Sequence, residues 1–233
     1  MTDTSLIGSQ QTGVRAARLA IIEDHELLAQ SLAFALANLG IEVNVVTDLE
    51  PAAVLDALRD QDLDIVLLDF DLGSAGLGLH LVRPITDLGF RVVMLTGETN
   101  PISLAQCVEA GAIGIISKSE PFHRLIEHVS DVVDGRRILT AGTRERLLAD
   151  LRAHRAHEGE RLAPFERLTV RESEVLRDLI DGKNAETIAN ESFVSVATVR
   201  SHIKALLSKL GVNSQLAAVA MAQRAEWAPR STR

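Results

Sequence analysis

The chain has 233 residues, of which 46% are hydrophobic and 24% charged, with a formal net charge of −8 at pH 7. This length suits two domains that each bury a core, and the composition excludes a disordered or repetitive protein. The acidic balance argues against a protein that coats nucleic acid through charge alone, and the single cysteine, Cys107, excludes an internal disulfide or a cysteine metal site.

The first residues, 1–11, are polar and lack the basic-then-apolar pattern of a signal peptide. No apolar run approaches the roughly 18 residues that a bilayer span needs, so we expect a cytoplasmic protein with no membrane partner. Charge is unevenly distributed: from Thr198 onward Glu226 is the one acidic residue among several basic ones, whereas acidic residues cluster around Asp24 and Asp69. The C-terminal part therefore suits phosphate, and the N-terminal part suits a cation.

Short apolar runs alternate with amphipathic segments between Arg18 and Asp134. The runs at residues 19–22, 43–46, 65–68, 92–95 and 113–116 predict five buried parallel strands. The segments between them have helical spacing, as at Leu28, Leu32, Leu36 and Leu39, and several end in a glycine suited to a left-handed cap, at Gly40, Gly89 and Gly111. The alternation predicts an α/β, doubly wound parallel sheet, whose functional crevice lies beyond the carboxyl ends of the strands.

Polar residues follow four of these strands: Glu23 and Asp24 the first, Asp69 the third, Thr96 the fourth and Lys118 the fifth. Mg²⁺ prefers carboxylate oxygens, so Glu23, Asp24 and Asp69 are candidate ligands. Asp69 can then accept a phosphoryl group, with Lys118 as a neutralising cation and Thr96 as a hydroxyl donor. Each residue alone is typical of an ordinary strand end, but the five together predict a phosphoryl-accepting site.

The triplet Asp69-Phe70-Asp71 leaves a second class open, because a DxD after an apolar strand also suits a Mg²⁺-dependent phosphohydrolase of the haloacid dehalogenase type. Such an enzyme usually places the DxD on its first strand and has no use for a second acidic pair upstream. We therefore expect that the chain is not an enzyme.

With these residues, the segment from Arg18 to Asp134 resembles the receiver domains of bacterial response regulators, which have a flavodoxin-like fold. The resemblance implies that Asp69 is the phosphoacceptor, that Glu23, Asp24, Asp69 and the backbone carbonyl of Asp71 hold Mg²⁺, and that Thr96 and Lys118 engage the phosphoryl group. One position departs from the family pattern: receivers commonly carry Tyr or Phe three residues before the lysine, where this chain has Ile115. We therefore expect signalling through Thr96 rather than through an aromatic rotamer.

A linker is predicted after the receiver-like segment. Leucines at helical spacing occupy residues 143–155, and a charged, glycine-containing stretch at 154–161 follows before Pro164. Beyond it, segments 170–181, 186–192, 196–210 and 214–223 have the pattern of four short helices. The second domain is thus predicted to be a small all-α module.

The helix predicted over residues 196–210 has one apolar and one polar face, the latter including Arg200, Ser201 and Lys204. Ser195 can cap its start and Gly211 can end it. With the short helix before it, this segment has the pattern of a helix-turn-helix, whose second helix enters the major groove of DNA. On spacing alone, a solvated helix face is the commoner interpretation of these charges.

The surrounding residues resemble the LuxR-type helix-turn-helix: Leu168-Thr169-Val170-Arg171-Glu172, Ile188-Ala189, Thr198-Val199, His202 and Lys209-Leu210-Gly211-Val212. The resemblance implies DNA contacts by Thr198, Arg200, Ser201 and Lys204, with Lys209 near the DNA backbone, and a last helix available for dimerisation. Where many relatives have Asn-Lys, this chain has Ala185-Glu186, which replaces a phosphate contact with a negative charge.

Together, the two halves resemble the NarL/FixJ class of two-component response regulators. The resemblance implies a tail at 1–17, a receiver at 18–134, a linker with a helix at 135–165, a DNA-binding domain at 166–226 and a tail at 227–233. The implied partners are a sensor histidine kinase, a double-stranded DNA operator and a second copy of the chain on DNA. A lactone-binding LuxR regulator would lack the acidic set, whereas a regulator that works without phosphorylation stays open because of Ile115.

Overall fold

The computed structural model describes residues 16–228, so the predicted tails at 1–17 and 227–233 lie mostly outside the described residues. The chain divides into two compact units between Leu151 and Arg152. Within residues 16–228 no single helix has both the length and the apolar character to cross a bilayer; Val196–Leu210 and Gln215–Arg224 meet those requirements only jointly, across a 53° bend.

The first unit contains an alternating series of strands and helices, as the sequence predicts. The strands form one parallel sheet in the order β2-β1-β3-β4-β5, and a short 3₁₀ turn at Gly73–Ala75 follows the central strand. The bounds are β1 Arg18–Ile22, α1 Glu26–Ala37, β2 Glu42–Val46, α2 Pro51–Arg59, β3 Ile65–Asp69, α3 Leu79–Asp87, β4 Arg91–Thr96, α4 Pro101–Ala110, β5 Gly114–Ser117 and α5 Phe122–Val133.

The sheet has a hydrophobic core on each of its faces. Successive residues of a strand pack into different cores, because their side chains point to opposite faces of the sheet. Ile22 and Leu68 pack on one face against α2, α3 and α4, for example against Leu58. Ile21 and Leu67 pack on the other face against α1 and α5. The central strand is buried on both faces, which explains its uninterrupted apolar sequence.

A single helix, α6 (Ala141–Glu166), occupies the region predicted as a linker. The charged stretch at residues 154–161 is part of this helix rather than irregular. Five of its eight residues are Ala, Arg or Glu, which have high helix propensities, so the stretch is helical without an apolar stripe. Pro164 lies near the C-terminal end of α6, where few hydrogen bonds remain to be lost.

The second unit contains four further helices, α7 (Val170–Ile180), α8 (Ala185–Glu191), α9 (Val196–Leu210) and α10 (Gln215–Arg224), close to their predicted bounds. Each begins with a side chain that accepts a hydrogen bond from the first helical turn; these residues are Thr169, Asn184, Ser195 and Ser214. Their apolar faces enclose one core, which includes Val175, Leu176, Ile188, Val199, Ile203, Leu206, Ala218 and Ala222.

The turn between α8 and α9 contains a strained residue. Phe193 has a φ of +54° and its side chain is 96% exposed. Its N–H donates to the Asn190 carbonyl at 3.4 Å, and the Val194 N–H donates to the Ala189 carbonyl at 3.0 Å, which is the hydrogen-bond pattern of a Schellman cap. At the end of α9 the same position is occupied by Gly211, with a φ of +70°. A left-handed conformation is unfavourable for residues with a Cβ, so α8 ends under strain that α9 avoids.

Replacing Phe193 by glycine should therefore stabilise the second unit by about 0.5–1 kcal/mol, the net of relieved backbone strain and a more flexible unfolded chain. The matched change, Gly211→Ala, should destabilise it by about 1 kcal/mol, because open space surrounds the added Cβ and only the backbone is penalised. Urea unfolding followed by fluorescence of Trp227, which stacks on Phe165, measures both. If Phe193→Gly and Gly211→Ala changed the unfolding free energy in the same direction and by the same amount, the backbone at Phe193 would not be strained.

Candidate functional site

The polar residues predicted to act together lie at the carboxyl ends of four strands. Strands β1, β3, β4 and β5 are neighbours in the sheet, with Ile22 paired to Leu68 and Asp69 paired to Leu95. Thr96 pairs with Ser117, the residue before Lys118. The strand order therefore positions Glu23, Asp24, Asp69, Thr96 and Lys118 along one edge of the sheet.

An ion-pair network joins three of these residues. The Lys118 ammonium donates to Asp69 Oδ2 at 2.6 Å and to Glu23 Oε1 at 2.9 Å. Both carboxylates are buried, with Asp69 2% and Glu23 4% exposed. Burial raises the pKa of Asp69 to about 6, against the opposing effect of the Lys118 hydrogen bond. Burial acts to lower the pKa of Lys118, but hydrogen bonds to Asp69 and Glu23 outweigh it and raise that pKa above its ordinary value.

His25 joins the acidic cluster, which sequence reasoning did not foresee. Its Nδ1 lies 2.7 Å from Asp24 Oδ1 and 3.0 Å from Glu23 Oε1. The hydrogen bond with Glu23 and the nearby Asp24 charge raise the pKa of His25. The available signal was the position of His25 directly after Glu23-Asp24 at the end of β1.

The cluster fits a divalent cation by the chemistry of its donors. Oxygens of Glu23, Asp24 and Asp69, together with a nitrogen of His25, lie within 4.8 Å of one another. Glu23 Oε2 is buried, and the Lys118 ammonium lies 2.8 Å from it. A Cβ at Gly73 would lie 2.9 Å from Asp24 Oδ2, so the glycine leaves room beside this carboxylate. Hard carboxylate oxygens grouped in this way suit Mg²⁺.

The remaining predicted residues of this edge have other contacts. Asp71 is exposed and its Oδ1 accepts the Gly73 N–H at 3.0 Å. Thr96 is buried, its Oγ1 accepts the Glu98 N–H at 2.8 Å, and its carbonyl accepts the Lys118 N–H at 2.8 Å. Thr96 is thereby linked through the backbone to the lysine. Ile115 is partly buried against the sheet core.

The polar face predicted for α9 is exposed in the second unit. Thr198, Arg200, Ser201 and Lys204 are all exposed, whereas Val199, Ile203, Leu206 and Leu210 of the same helix are buried. Ser195 accepts the Thr198 N–H at 3.0 Å and Gly211 ends the helix in a left-handed conformation, as predicted. The exposed face is therefore free of the core contacts that its apolar face makes.

Two of the predicted DNA-contacting cations form ion pairs within the unit. Arg200 Nη2 lies 3.0 Å from Glu186 Oε1, and both side chains are exposed. Lys209 Nζ lies 2.6 Å from Oε2 of Glu172, which is buried. Glu172 Oε2 also accepts the Thr169 N–H at 2.7 Å and so completes a capping box at the start of α7. Lys209 thus forms an ion pair within the folded unit, and a contact between Lys209 and DNA stays a prediction.

Replacing Glu172 by glutamine should lower the unfolding free energy of the second unit by about 1–3 kcal/mol, because the half-buried ammonium of Lys209 loses its counter-charge. Glu174→Gln is the matched control, since Glu174 is far less buried than Glu172 and pairs with the half-exposed Arg171, so its loss should change stability by less than about 1 kcal/mol. Denaturant titrations followed by Trp227 fluorescence compare the two variants. A similar effect of both would show that burial of Glu172 is unimportant.

The Glu172 effect should depend on pH. Burial acts to raise the pKa of Glu172, but hydrogen bonds from Lys209 and Thr169 outweigh it and leave the pKa below its ordinary value of 4.5. A lowered folded-state pKa gives stability that is present above pH 4.5 and is lost as the pH falls through the folded pKa. The stability difference between the native chain and Glu172→Gln should therefore shrink in acid.

Two protein-family models match the chain. Residues 19–130 match the response regulator receiver domain, and residues 166–222 match the bacterial regulatory proteins of the luxR family. Both matches coincide with the regions that carry the described sites.

Relatives similar over most of their length share both regions. A probable transcriptional regulatory protein NarL of Mycobacterium tuberculosis is 30% identical, with the alignment covering 89% of this chain and 94% of the relative. Transcriptional regulatory protein DesR of Bacillus subtilis is 27% identical, covering 89% and 96%, and LiaR of the same species is 29% identical, covering 89% and 97%.

These similarities exclude a haloacid dehalogenase-type enzyme and a lactone-binding regulator, because neither pairs a receiver with this helix-turn-helix. The family consists of transcription regulators rather than enzymes. The chain belongs to the NarL/FixJ class of two-component, DNA-binding response regulators.

Proposed function

We propose that Asp69 is the phosphoacceptor of this response regulator and that its phosphorylation controls DNA binding by α9. The observation that carries the proposal is the contact between the buried Asp69 carboxylate and the Lys118 ammonium at 2.6 Å. Once a phosphoryl group is attached to Asp69, the same ammonium can form its ion pair with the phosphoryl oxygens instead of with the carboxylate. Matches at residues 19–130 and 166–222 support a receiver at 18–134, a linker at 135–165 and a DNA-binding domain at 166–226.

In the proposed reaction, an oxygen of Asp69 attacks the phosphorus of a phosphohistidine on a sensor histidine kinase. The new O–P bond forms as the P–N bond breaks, and the donor imidazole leaves with the electron pair of that bond. Lys118 stabilises the charge on the transferred oxygens, and the Thr96 hydroxyl donates to one of them. Mg²⁺, when held by Glu23, Asp24, Asp69 and the Asp71 carbonyl, supplies further neutralisation of those oxygens.

The proposed output is binding of a dimer to a double-stranded operator in the cytoplasm, where the chromosome lies. Thr198, Arg200, Ser201 and Lys204 are exposed on one face of α9, which suits entry into the major groove. A symmetric dimer requires half-sites about one helical turn apart on one face of the DNA. Changing the spacing between the two half-sites therefore tests whether the dimer binds DNA in this geometry.

The test of the proposal compares DNA affinity and molecular mass with and without beryllofluoride and Mg²⁺, which together imitate the phosphorylated state. We expect tighter operator binding and a shift toward the dimer. Unchanged affinity and mass would favour a regulator that works without phosphorylation, the alternative suggested by Ile115. Omission of Mg²⁺ should abolish the response and serves as the control.

Replacing Arg200 or Lys204 by alanine should weaken operator binding by about 1–3 kcal/mol and relax preference at particular base pairs, because both lie on the exposed face about one turn apart. Binding to operators with single base-pair changes, measured by fluorescence anisotropy, checks this. An equal loss on every sequence would contradict base reading. Lys209→Ala is unsuitable as a comparison, since it also leaves Glu172 without its cation.

A further inference from the structure

An exposed ion pair links the two helices of the helix-turn-helix. Glu186 is the second residue of α8, and its Oε1 lies 3.0 Å from Nη2 of Arg200 on α9. Their side chains are 57% and 68% exposed. Both residues line an open groove of about 600 Å³ together with Lys204 and Ser208. The pair thus lies on the surface proposed to meet DNA.

The pair contributes little to the stability of the unit, because ion pairs between largely exposed side chains are weak. The pair instead affects the position of Arg200, because the Glu186 carboxylate restricts the conformations of this long side chain. A guanidinium has five N–H donors, and the contact described with Glu186 uses one of them. The remaining donors suffice for the two acceptors, O6 and N7, at the major-groove edge of guanine.

The charge of Glu186 has a second effect. Its carboxylate cancels the charge that Arg200 would otherwise offer to DNA phosphates, which provide most non-specific affinity. Among residues 16–228, Lys204 has no carboxylate partner and keeps its full charge. The two cations on the exposed face of α9 are therefore not equivalent: one is held and neutralised, and the other is free.

We propose that Glu186 is a specificity-determining residue that holds Arg200 toward a guanine edge and prevents its use as a general phosphate contact. This rests on the proposed base reading by Arg200 and adds to it a residue of α8 that acts through Arg200. Glu186 lowers binding to unrelated DNA and sharpens the preference at the base pair that Arg200 reads.

The test uses the full chain with beryllofluoride and Mg²⁺, as Glu186→Gln, Arg200→Ala and the double variant. The probes are a duplex selected by the native protein from a randomised library, its single base-pair variants and an unrelated duplex, each measured across a salt series. Glu186→Gln should tighten binding to unrelated DNA and steepen the log–log salt slope by about one per protomer. It should also reduce discrimination at one base pair about 5- to 10-fold, part of the roughly 5- to 150-fold that a bidentate arginine provides.

In the Arg200→Ala background, Glu186→Gln should leave base-pair preference unchanged, because the positioned side chain is gone. Glu174→Gln, which removes an equal charge from a half-exposed pair on α7, should alter neither preference nor salt slope. Trp227 fluorescence verifies the fold of each variant. If Arg200→Ala relaxes one base pair while Glu186→Gln relaxes none, Glu186 has no positioning role, although base reading by Arg200 survives. If Arg200→Ala itself relaxes no base pair, both ideas are wrong.

Discussion

Replacing Asp69 by alanine is expected to abolish labelling of the protein by radioactive acetyl phosphate. The Asp69 carboxylate is the acceptor in the proposed reaction, and its buried position beside Lys118 distinguishes it from Asp24, which is exposed. Glu23 is buried too, but the Lys118 ammonium lies 2.9 Å from its Oε1 and 2.8 Å from its Oε2, and His25 contacts Oε1 as well. We therefore expect no substitute acceptor, and the label should be lost rather than reduced. Incorporated phosphate per chain after a fixed incubation is the measurement.

Asp71→Ala is the matched control for this experiment. Asp71 lies two residues further along and is exposed, and its side chain contacts only the Gly73 N–H among the hydrogen bonds described. The proposed role of Asp71 uses its backbone carbonyl, so the alanine variant should still be labelled. Label on Asp69→Ala equal to that of the native chain, or full labelling of the native chain in EDTA, would refute the assignment.

Gly78→Ala is expected to destabilise the first unit by about 3 kcal/mol or more, at the upper end of the cost of overpacking a close contact. A Cβ on Gly78 would lie 1.9 Å from the backbone oxygen of Asp69. That atom belongs to the chain and cannot rotate away as a side-chain tip would. The Gly78 N–H also donates to the Phe70 carbonyl at 2.8 Å, so moving Gly78 outward breaks a hydrogen bond next to the acceptor.

The control is Gly142→Ala in α6, where nothing lies within 4 Å of the added Cβ. This change should stabilise the helix by up to about 1 kcal/mol, since alanine has the higher helix propensity. Chemical denaturation followed by far-ultraviolet circular dichroism measures both variants, and acetyl phosphate labelling of the folded fraction tests Asp69. A Gly78→Ala protein as stable and as readily labelled as the native chain would contradict the close approach.

The strands and the acidic edge were predictable because buried parallel strands have a distinctive sequence. Four consecutive apolar residues in Ile65–Asp69 permit little except a strand covered on both faces, and parallel strands bring their carboxyl ends together. Helix α9 was predictable for a similar reason, since its apolar spacing and its capping residues Ser195 and Gly211 agree. At these positions the local sequence pattern predicts the same structure that packing in the folded protein requires.

Pairings between distant residues were not predictable in this way. The contacts of Glu172 with Lys209 and of Glu186 with Arg200 join helices, and the charges alone do not reveal which carboxylate meets which cation. The helix through residues 154–161 was missed because solvated polar residues have no apolar period to detect. The left-handed Phe193 was missed because glycine is the usual signal for that conformation.

The order in which strands contribute to the acidic edge bears on protein synthesis. Asp69 precedes Lys118 by 49 residues, and β5, which positions Lys118, is the last strand among residues 16–228 and lies at the edge of the sheet. At roughly 5–20 residues per second, a growing chain passes several seconds with its carboxylate already translated and its ammonium still missing. A ribosome-bound fragment that ends before β5 therefore lacks the ammonium that the proposed phosphoryl transfer to Asp69 requires.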